Sequence, residues 1–194
     1  MPLDGYHEKM KLLVVILVML LILPCGCAKQ SIREKDKPLL LTVAELAPYG
    51  LSLDNYRQYE VFRRNVFVDG AIEVAYEFDP PDDSGINLYV SVAASFERTE
   101  SDAKLAYVTE RKGTTLGAKL GGVTITESKG FFTYGDESFF GFFMGEKGPG
   151  GNLFITRIGS KLYVVLMGGV YFDNQDDWTE LITPKLQYLE SYNP

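Results

Sequence analysis

Alternation of apolar and polar residues predicts the first part of a β-sheet. Between residues 56 and 78, two alternating stretches flank Asp69-Gly70, a dipeptide that strongly favours a tight hairpin turn. Apolar side chains at every second position from 72 to 78 face one side, and the residues between them face the other. A loop rich in proline and aspartate at 80–85 follows, and the alternation then predicts a third strand over 86–96.

A change of period after the third strand predicts a helix. Apolar residues recur at loosely helical spacing over residues 101–112. Thr99 or Ser101 would cap the start of this helix, and Gly113 would end it.

The second half of the chain repeats strand signals. Short strands are predicted at 123–126 and 130–134, and a longer strand is predicted in the stretch ESFFGFFMGE, which begins at residue 137. The glycine-rich segment KGPGG at 147–151 is expected to be a flexible loop. A hairpin about Gly159-Ser160 completes the set, because glycine accepts the positive φ of such a turn.

The residues over 173–192 predict a closing helix. Asp176 and Asp177 suit the positive end of a helix dipole, and Pro184 is expected to kink the helix. The predicted apolar stripe consists of Leu181, Ile182, Leu186 and Leu189.

Upstream of the strands, Thr42 and Glu45 form a capping-box pattern, which predicts a helix of one or two turns that ends at Pro48 and Gly50. Residues 28–38 are polar and charged, and they are expected to form a tether. The predicted fold class is α+β: a mostly antiparallel sheet with helices packed on one face and a terminal helix, in a single domain over 39–194.

The amino terminus carries a different pattern. Lys9 and Lys11 precede an unbroken apolar run over 12–23. This run is shorter than the roughly 20 residues of a membrane-spanning helix and suits a secretion signal. The chain's two cysteines, Cys25 and Cys27, follow at once. Residues 1–27 are therefore predicted to be a signal peptide, and because acidic residues precede Met10, we expect translation to start there.

Small Gly26 before Cys27 resembles the lipobox of bacterial lipoproteins, in which the cysteine receives diacylglycerol. The resemblance implies lipidation at Cys27, although Pro24 stands where that family usually has leucine. A plain cleaved signal and an uncleaved anchor helix are the alternatives. Ala28 follows the cysteine, and the absence of aspartate at that place implies sorting to the outer membrane if the host is Gram-negative.

The order of elements gives a second resemblance. A strand trio, a helix, further strands ending in GSKLYVVLMGG and a terminal helix resemble the PsbP-like group of extracytoplasmic domains. The resemblance covers about the last 130 residues. It implies a fold and no site residues.

Composition and charge narrow the function. With 19 Lys and Arg against 26 Asp and Glu, the net charge is −7, which disfavours nucleic acid as a partner. The only histidine, His7, would leave with the signal. Without imidazole, and with no nucleophile beside a base, we expect no enzyme and no cofactor. Paired carboxylates of a hydrolase remain an alternative without a favoured pair.

Two clusters invite binding hypotheses. Phe139, Phe140, Phe142 and Phe143 place rings on both faces of one strand. They indicate either a strand buried on both sides or an apolar groove for a lipid tail or a partner. The acids at 173–177 begin like a calcium-binding loop, but Trp178 and Pro184 occupy positions that such a loop gives to glycine and glutamate. Helix capping explains these acids, and no metal is expected.

The sequence therefore predicts a non-enzymatic lipoprotein domain at the bacterial cell envelope. It would be held at the membrane, on the extracytoplasmic side, by covalent lipid and act as a binding or accessory module, with an envelope protein complex as a partner. The alternative is a carrier of an apolar ligand through the phenylalanine-rich strand at 137–144.

Overall fold

The computed structural model describes residues 28–51, 56–146 and 148–194, and these form an α+β fold on one antiparallel sheet. Within the described residues the eight strands lie in the order β1-β2-β3-β4-β8-β7-β6-β5. The strands are β1 (Ala28–Gln30), β2 (Glu60–Val66), β3 (Ile72–Phe78), β4 (Tyr89–Phe96), β5 (Thr124–Glu127), β6 (Glu137–Gly145), β7 (Gly148–Ile158) and β8 (Lys161–Gly168). The helices are α1 (Glu100–Leu120), α2 (Gln175–Ser191) and 3₁₀ helices at Glu34–Leu39, Val43–Tyr49, Tyr56–Tyr59 and Asp82–Ser84.

Helices cover both faces of the sheet, so the prediction of helices on one face is wrong. Tyr107 and Ala118 of α1 pack in one core layer, against side chains of β6, β7 and β8. Trp178 and Leu186 of α2 pack in the other layer, together with Leu39–Leu41. Strands β6, β7 and β8 are apolar on both faces for this reason, as expected of strands buried between two layers.

Two ends of the sheet define the geometry used below. At one end, called the Ala28 end, Ala28 pairs with Val66, and the β2–β3 turn lies beside it. The opposite end is called the Gly168 end, because β8 finishes there at Gly168. Lys161 Nζ donates to the carbonyls of Leu189, Glu190 and Tyr192 at 2.8–2.9 Å, which places the carboxyl end of α2 at the Ala28 end.

Residues 28–38 belong to the folded domain, which contradicts the predicted tether. Residues 28–30 pair with β2, and Glu34–Leu39 is a 3₁₀ helix. Asp36 has no exposed surface; Arg33 donates to its carboxylate through Nε and Nη2 at 2.9–3.2 Å, and Tyr192 donates through its hydroxyl. Arg64 Nη1 lies 3.6 Å from the same carboxylate. Residues 28–38 have the polar composition of a linker, and the residues that bind them, such as Arg64 and Tyr192, are distant in sequence.

The two predicted hairpins are confirmed. Asp69 and Gly70 form the turn between β2 and β3, where Gly70 has φ +91° and Asp69 Oδ1 accepts the Ala71 N–H at 3.1 Å. Gly159 has φ +57° in the turn between β7 and β8. The capping box at Thr42 is also confirmed, since Glu45 Oε2 accepts the Thr42 N–H at 2.9 Å.

Helix α1 starts as predicted and ends later. Thr99 caps it by accepting the Asp102 N–H at 3.1 Å, but the helix passes through Gly113 and continues to Leu120. Packing on the sheet outweighs the roughly 1 kcal/mol that a glycine costs inside a helix. Helix α2 is also continuous through Pro184, the position at which a kink is predicted.

Residues 130–134 form a loop, so the strand predicted there is wrong. Gly130 and Gly135, both at positive φ, bracket the segment, and its aromatic residues pack on the core instead of pairing with a strand. The ring of Phe131 stacks on Phe140 at 4.3 Å, and that of Phe132 meets Phe154 edge-on at 5.4 Å. The predicted loop at 147–151 is also too long, because β7 begins at Gly148.

Candidate binding cleft

The described residues do not include the predicted lipidation site. Cys27 and the predicted signal peptide at 1–27 lie outside them, as does the predicted start at Met10. Within residues 28–51, 56–146 and 148–194, no helix has the length and apolar character needed to cross a membrane.

The phenylalanine-rich strand is buried from both sides. Phe139 and Phe143 of β6 pack in the α1 layer, and Phe140 packs in the α2 layer, where its ring meets Trp178 at 5.1 Å. Phe142 is half-buried against Phe131. Protein side chains therefore occupy the space around these rings. The arrangement fits the interpretation of a strand buried on both faces and does not provide the open groove proposed as its alternative.

A concave site lies elsewhere, at the Gly168 end. The cleft has a volume of about 440 Å³ between the second 3₁₀ helix and the segment that joins β8 to α2. Its lining residues are Pro48, Tyr49, Val170, Tyr171, Phe172, Asp173, Asn174, Asp177 and Glu180. These residues combine aromatic rings with carboxylates, and we call the site the acidic cleft.

Two features hold the chain in place along the acidic cleft. Gly169 has φ +83°, and a Cβ at this position would lie 1.8 Å from the Asn87 carbonyl oxygen, so only glycine fits. The buried Asn152 side chain binds both sides of one peptide segment: its Oδ1 accepts the Phe172 N–H at 2.6 Å, and its Nδ2 donates to the Phe172 carbonyl at 3.2 Å. The rigid sheet thereby positions the cleft wall.

Aromatic contacts form the floor of the acidic cleft. The Tyr49 ring meets Phe172 edge-on at 5.1 Å, and Phe172 meets the buried Trp178 at 5.7 Å. The Tyr49 hydroxyl donates to the Asp177 carbonyl at 3.4 Å. This long bond joins segments that are 128 residues apart in sequence.

The acidic cleft carries negative charge without a counter-charge in the described part of the chain. Asp173, Asp177 and Glu180 form no ion pair with any described residue, whereas Lys185 on the same helix pairs with Glu45. The pKa of Tyr49 is raised, chiefly by burial and then by the negative charges of Glu180 and Asp177. The cleft is thus suited to a cationic group, which would meet both carboxylates and ring faces.

A second acidic region lies in the sheet and α1 layer. Burial raises the pKa of Glu110; a hydrogen bond from Thr114 opposes the rise, and the charge of Glu73 adds to it. Burial likewise raises the pKa of Glu73, against the hydrogen bond from Asn65 and the charge of Arg63. Perturbed carboxylates are common at catalytic sites and also in structural networks. Neither of these two lines the acidic cleft.

The acids at 173–177 lie at the start of α2, but the side chain that caps the helix belongs to Asn174 and not to an acid. Asn174 is the N-cap, and its Oδ1 accepts the Asp176 N–H at 2.9 Å. Asp176 and Asp177 lie in the first turn. The described residues contain no group of three or more histidine, cysteine or acidic side chains arranged to hold a metal ion.

Comparison with known proteins assigns no family: no family model, curated protein or solved structure matches the chain. The fold alone therefore defines the class of protein, a three-layer α+β domain. Sequence reasoning examined the acids at 173–177 but missed the acidic cleft, because Tyr49 comes from a segment 128 residues away. The one feature of the sequence that could have indicated the acidic cleft is Tyr171, an aromatic residue next to those acids, which the structure shows to be exposed.

Proposed function

We propose that this protein is a lipid-anchored extracytoplasmic protein that acts without catalysis, as a binding or accessory module at the bacterial cell envelope. Diacylglycerol on Cys27 holds it at the membrane, and the acidic cleft binds a basic segment of a partner protein. In a Gram-negative host the membrane is the outer one. The observation that carries the binding role is the acidic cleft itself, a concave site with three carboxylates and no neutralising cation among the described residues.

The position of the acidic cleft supports this proposal. The described chain begins at the Ala28 end, immediately after Cys27, and the cleft lies at the Gly168 end. A lipid at Cys27 would therefore leave the cleft facing away from the bilayer. A partner could reach it without displacing lipid or rearranging the domain.

The chemistry of the lining supports a basic partner. Lysine and arginine side chains satisfy carboxylates by charge and stack on aromatic rings. Solvent-accessible charge pairs contribute about 0.2–1 kcal/mol each, so the site is suited to reversible binding. A carrier of an apolar ligand gains no comparable support, because the phenylalanine side chains of β6 lie in the two cores.

Titration with a basic peptide tests the binding role. A penta-lysine peptide added to the purified protein should shift the amide signals of residues 170–174 in NMR spectra. The double variant Asp177→Asn/Glu180→Gln should weaken binding about fivefold or more, the loss of about 1 kcal/mol expected for removing two such charge pairs. A matched control, Asp83→Asn/Glu146→Gln, removes two exposed acids outside the cleft lining. Equal weakening in both variants would reduce the effect to net charge and overturn the assignment of the cleft.

Metabolic labelling tests the anchor separately. Cells given a tagged fatty acid should label the wild-type protein and not Cys27→Ser, and the variant should leave the membrane fraction. An unlabelled wild-type protein would refute the lipid anchor. The binding role would then be decided by the peptide titration alone.

A further inference from the structure

We infer that the β2–β3 turn, residues 67–70, is a second membrane-contact site that rests on lipid beside the anchored Cys27. The inference depends on the proposed lipid anchor and adds to it a fixed orientation of the domain. Its ligand is the surface of a phospholipid bilayer.

Strand pairing places the end of the described chain beside this turn. Ala28 pairs with Val66, Lys29 with Asn65 and Gln30 with Arg64. Because β1 and β2 are antiparallel, the amino-terminal end of β1 at Ala28 lies at the end of β2 from which the turn begins. One trans peptide bond separates the Cα atoms of Cys27 and Ala28 by about 3.8 Å. A lipid on Cys27 would therefore be attached one residue from Ala28, which itself pairs with Val66 at the start of the turn.

A buried ionic cluster fixes the segment after β1 to the rest of the domain, so this segment does not act as a flexible linker. Asp36 holds Arg33 and Arg64 and accepts the Tyr192 hydroxyl, which ties the segment after β1 to β2 and to the end of α2. Tyr188 also donates its hydroxyl to the Lys35 carbonyl at 2.9 Å. With this segment bound at several points, the lipid and the domain are joined by a short connection.

The turn presents an apolar side chain where a hairpin usually carries polar residues. Val68 is 79% exposed, the highest value among the large apolar residues that are exposed in the described chain. The backbone of the turn is internally bonded: the Gly70 N–H donates to the Phe67 carbonyl and the Phe67 N–H to the Ala71 carbonyl, both at 2.9 Å. These groups can approach an apolar medium at lower cost than unpaired ones.

Charge around the turn indicates which lipid suits it. Lys29 is exposed on β1 and is available to a headgroup phosphate, whereas Asp69 is exposed at the tip of the turn. The chain as a whole has a net charge of −7. Contact with zwitterionic lipid is therefore favoured over contact with a strongly anionic surface.

Site-specific labelling in vesicles tests this contact. The lipidated full chain carrying Cys25→Ser and Val68→Cys, labelled at residue 68 with an environment-sensitive fluorophore, is reconstituted into phosphatidylcholine vesicles. Its emission should rise several-fold and shift to the blue relative to the same label at residue 68 in detergent-free protein that carries Cys27→Ser. Nitroxides on the acyl chains should quench the emission of the lipidated protein. Leu120→Cys is the matched control, because Leu120 is 67% exposed at the end of α1 near the Gly168 end.

The outcomes separate the inference from the anchor. Fatty-acid labelling of the same sample reports on Cys27 independently. A labelled protein with unquenched emission at residue 68 overturns the membrane-contact site and leaves the anchor intact. Equal quenching at residues 68 and 120 also overturns it, because the domain would then have no fixed orientation. An unlabelled protein overturns the anchor itself.

Discussion

Asp36 shows how one side chain can decide the boundary of a domain. Burial alone would raise the pKa of its carboxyl group, but hydrogen bonds from Arg33 and Tyr192 and the charge of Arg64 lower it, and the net pKa falls below its ordinary value of 3.8. Burial of the hydroxyl, and after it the hydrogen bond to the Asp36 carboxylate and the charge of that carboxylate, raise the pKa of Tyr192 to about 12. Arg64 is 4% exposed, and its Nη1 has no hydrogen-bond partner among the described residues. The cluster therefore depends on the Asp36 charge.

Replacing Asp36 by Asn should destabilise the protein strongly. Asn keeps the shape but leaves Arg64 buried without its counter-charge, a change that typically costs about 3–5 kcal/mol. Urea unfolding measures the loss, and Glu34→Gln, which removes an exposed ion pair with Lys37 in the same 3₁₀ helix, is the control. Similar midpoints for the two variants would contradict the role given to Asp36.

The same cluster sets a pH dependence with a defined sign. A folded-state pKa below 3.8 means that Asp36 stabilises the protein above that pH and that this contribution is lost as the pH falls through the folded value. The wild-type protein should thus lose stability over this acidic range more steeply than Asp36→Asn. No local sequence pattern predicts this, because the partners Arg64 and Tyr192 lie 28 and 156 residues from Asp36.

At the scale of elements, local turn chemistry predicted more than helix ends did. Asp69-Gly70 and Gly159-Ser160 fix their hairpins through φ angles that glycine supplies, and both appear where predicted. Gly113 is a poor guide to the end of α1 because the cost of a glycine is local. The helix continues to Leu120 because it packs on β7 and β8, which are distant in sequence, as well as on the nearby β5. Residues 130–134 misled in the opposite direction, since their aromatic rings serve core packing without strand pairing.

Gly113 and Gly151 should respond oppositely to substitution by alanine. A Cβ on Gly113 meets nothing within 4 Å, so alanine should gain about 0.5–1 kcal/mol of helix stability and raise the melting temperature by about 1–4 °C. At Gly151, on β7 between β6 and β8, a Cβ would lie 2.1 Å from the Met167 carbonyl oxygen, so alanine should lower the melting temperature. Scanning calorimetry compares both with the wild-type protein. A lower melting temperature for Gly113→Ala would show that α1 needs glycine there.

At the scale of the molecule, the sheet separates two functions that we assign to its two ends. Strand alternation predicted the α+β class, but the order of strands places β4 beside β8, which joins halves that are remote in sequence. The acidic cleft depends on this joining, since Tyr49 meets the start of α2 only in the folded chain. Fold class was thus predictable from periodicity, and the site was not.

The length of the sheet gives the final prediction. β8 has 8 residues, and at about 3.3 Å per residue it separates the two ends by about 26 Å. In lipidated protein on vesicles, a donor fluorophore at Asp173→Cys in the acidic cleft should therefore transfer less energy to an acceptor at the bilayer surface than a donor at Val68→Cys. Inserting a flexible glycine-serine segment of about ten residues between Cys27 and Ala28 should remove most of that difference, because the domain then rotates freely on a chain that spans about 15–20 Å on average. Equal transfer from the two positions without the insertion would contradict the orientation, since a fixed end-on domain cannot hold both labels at the same height.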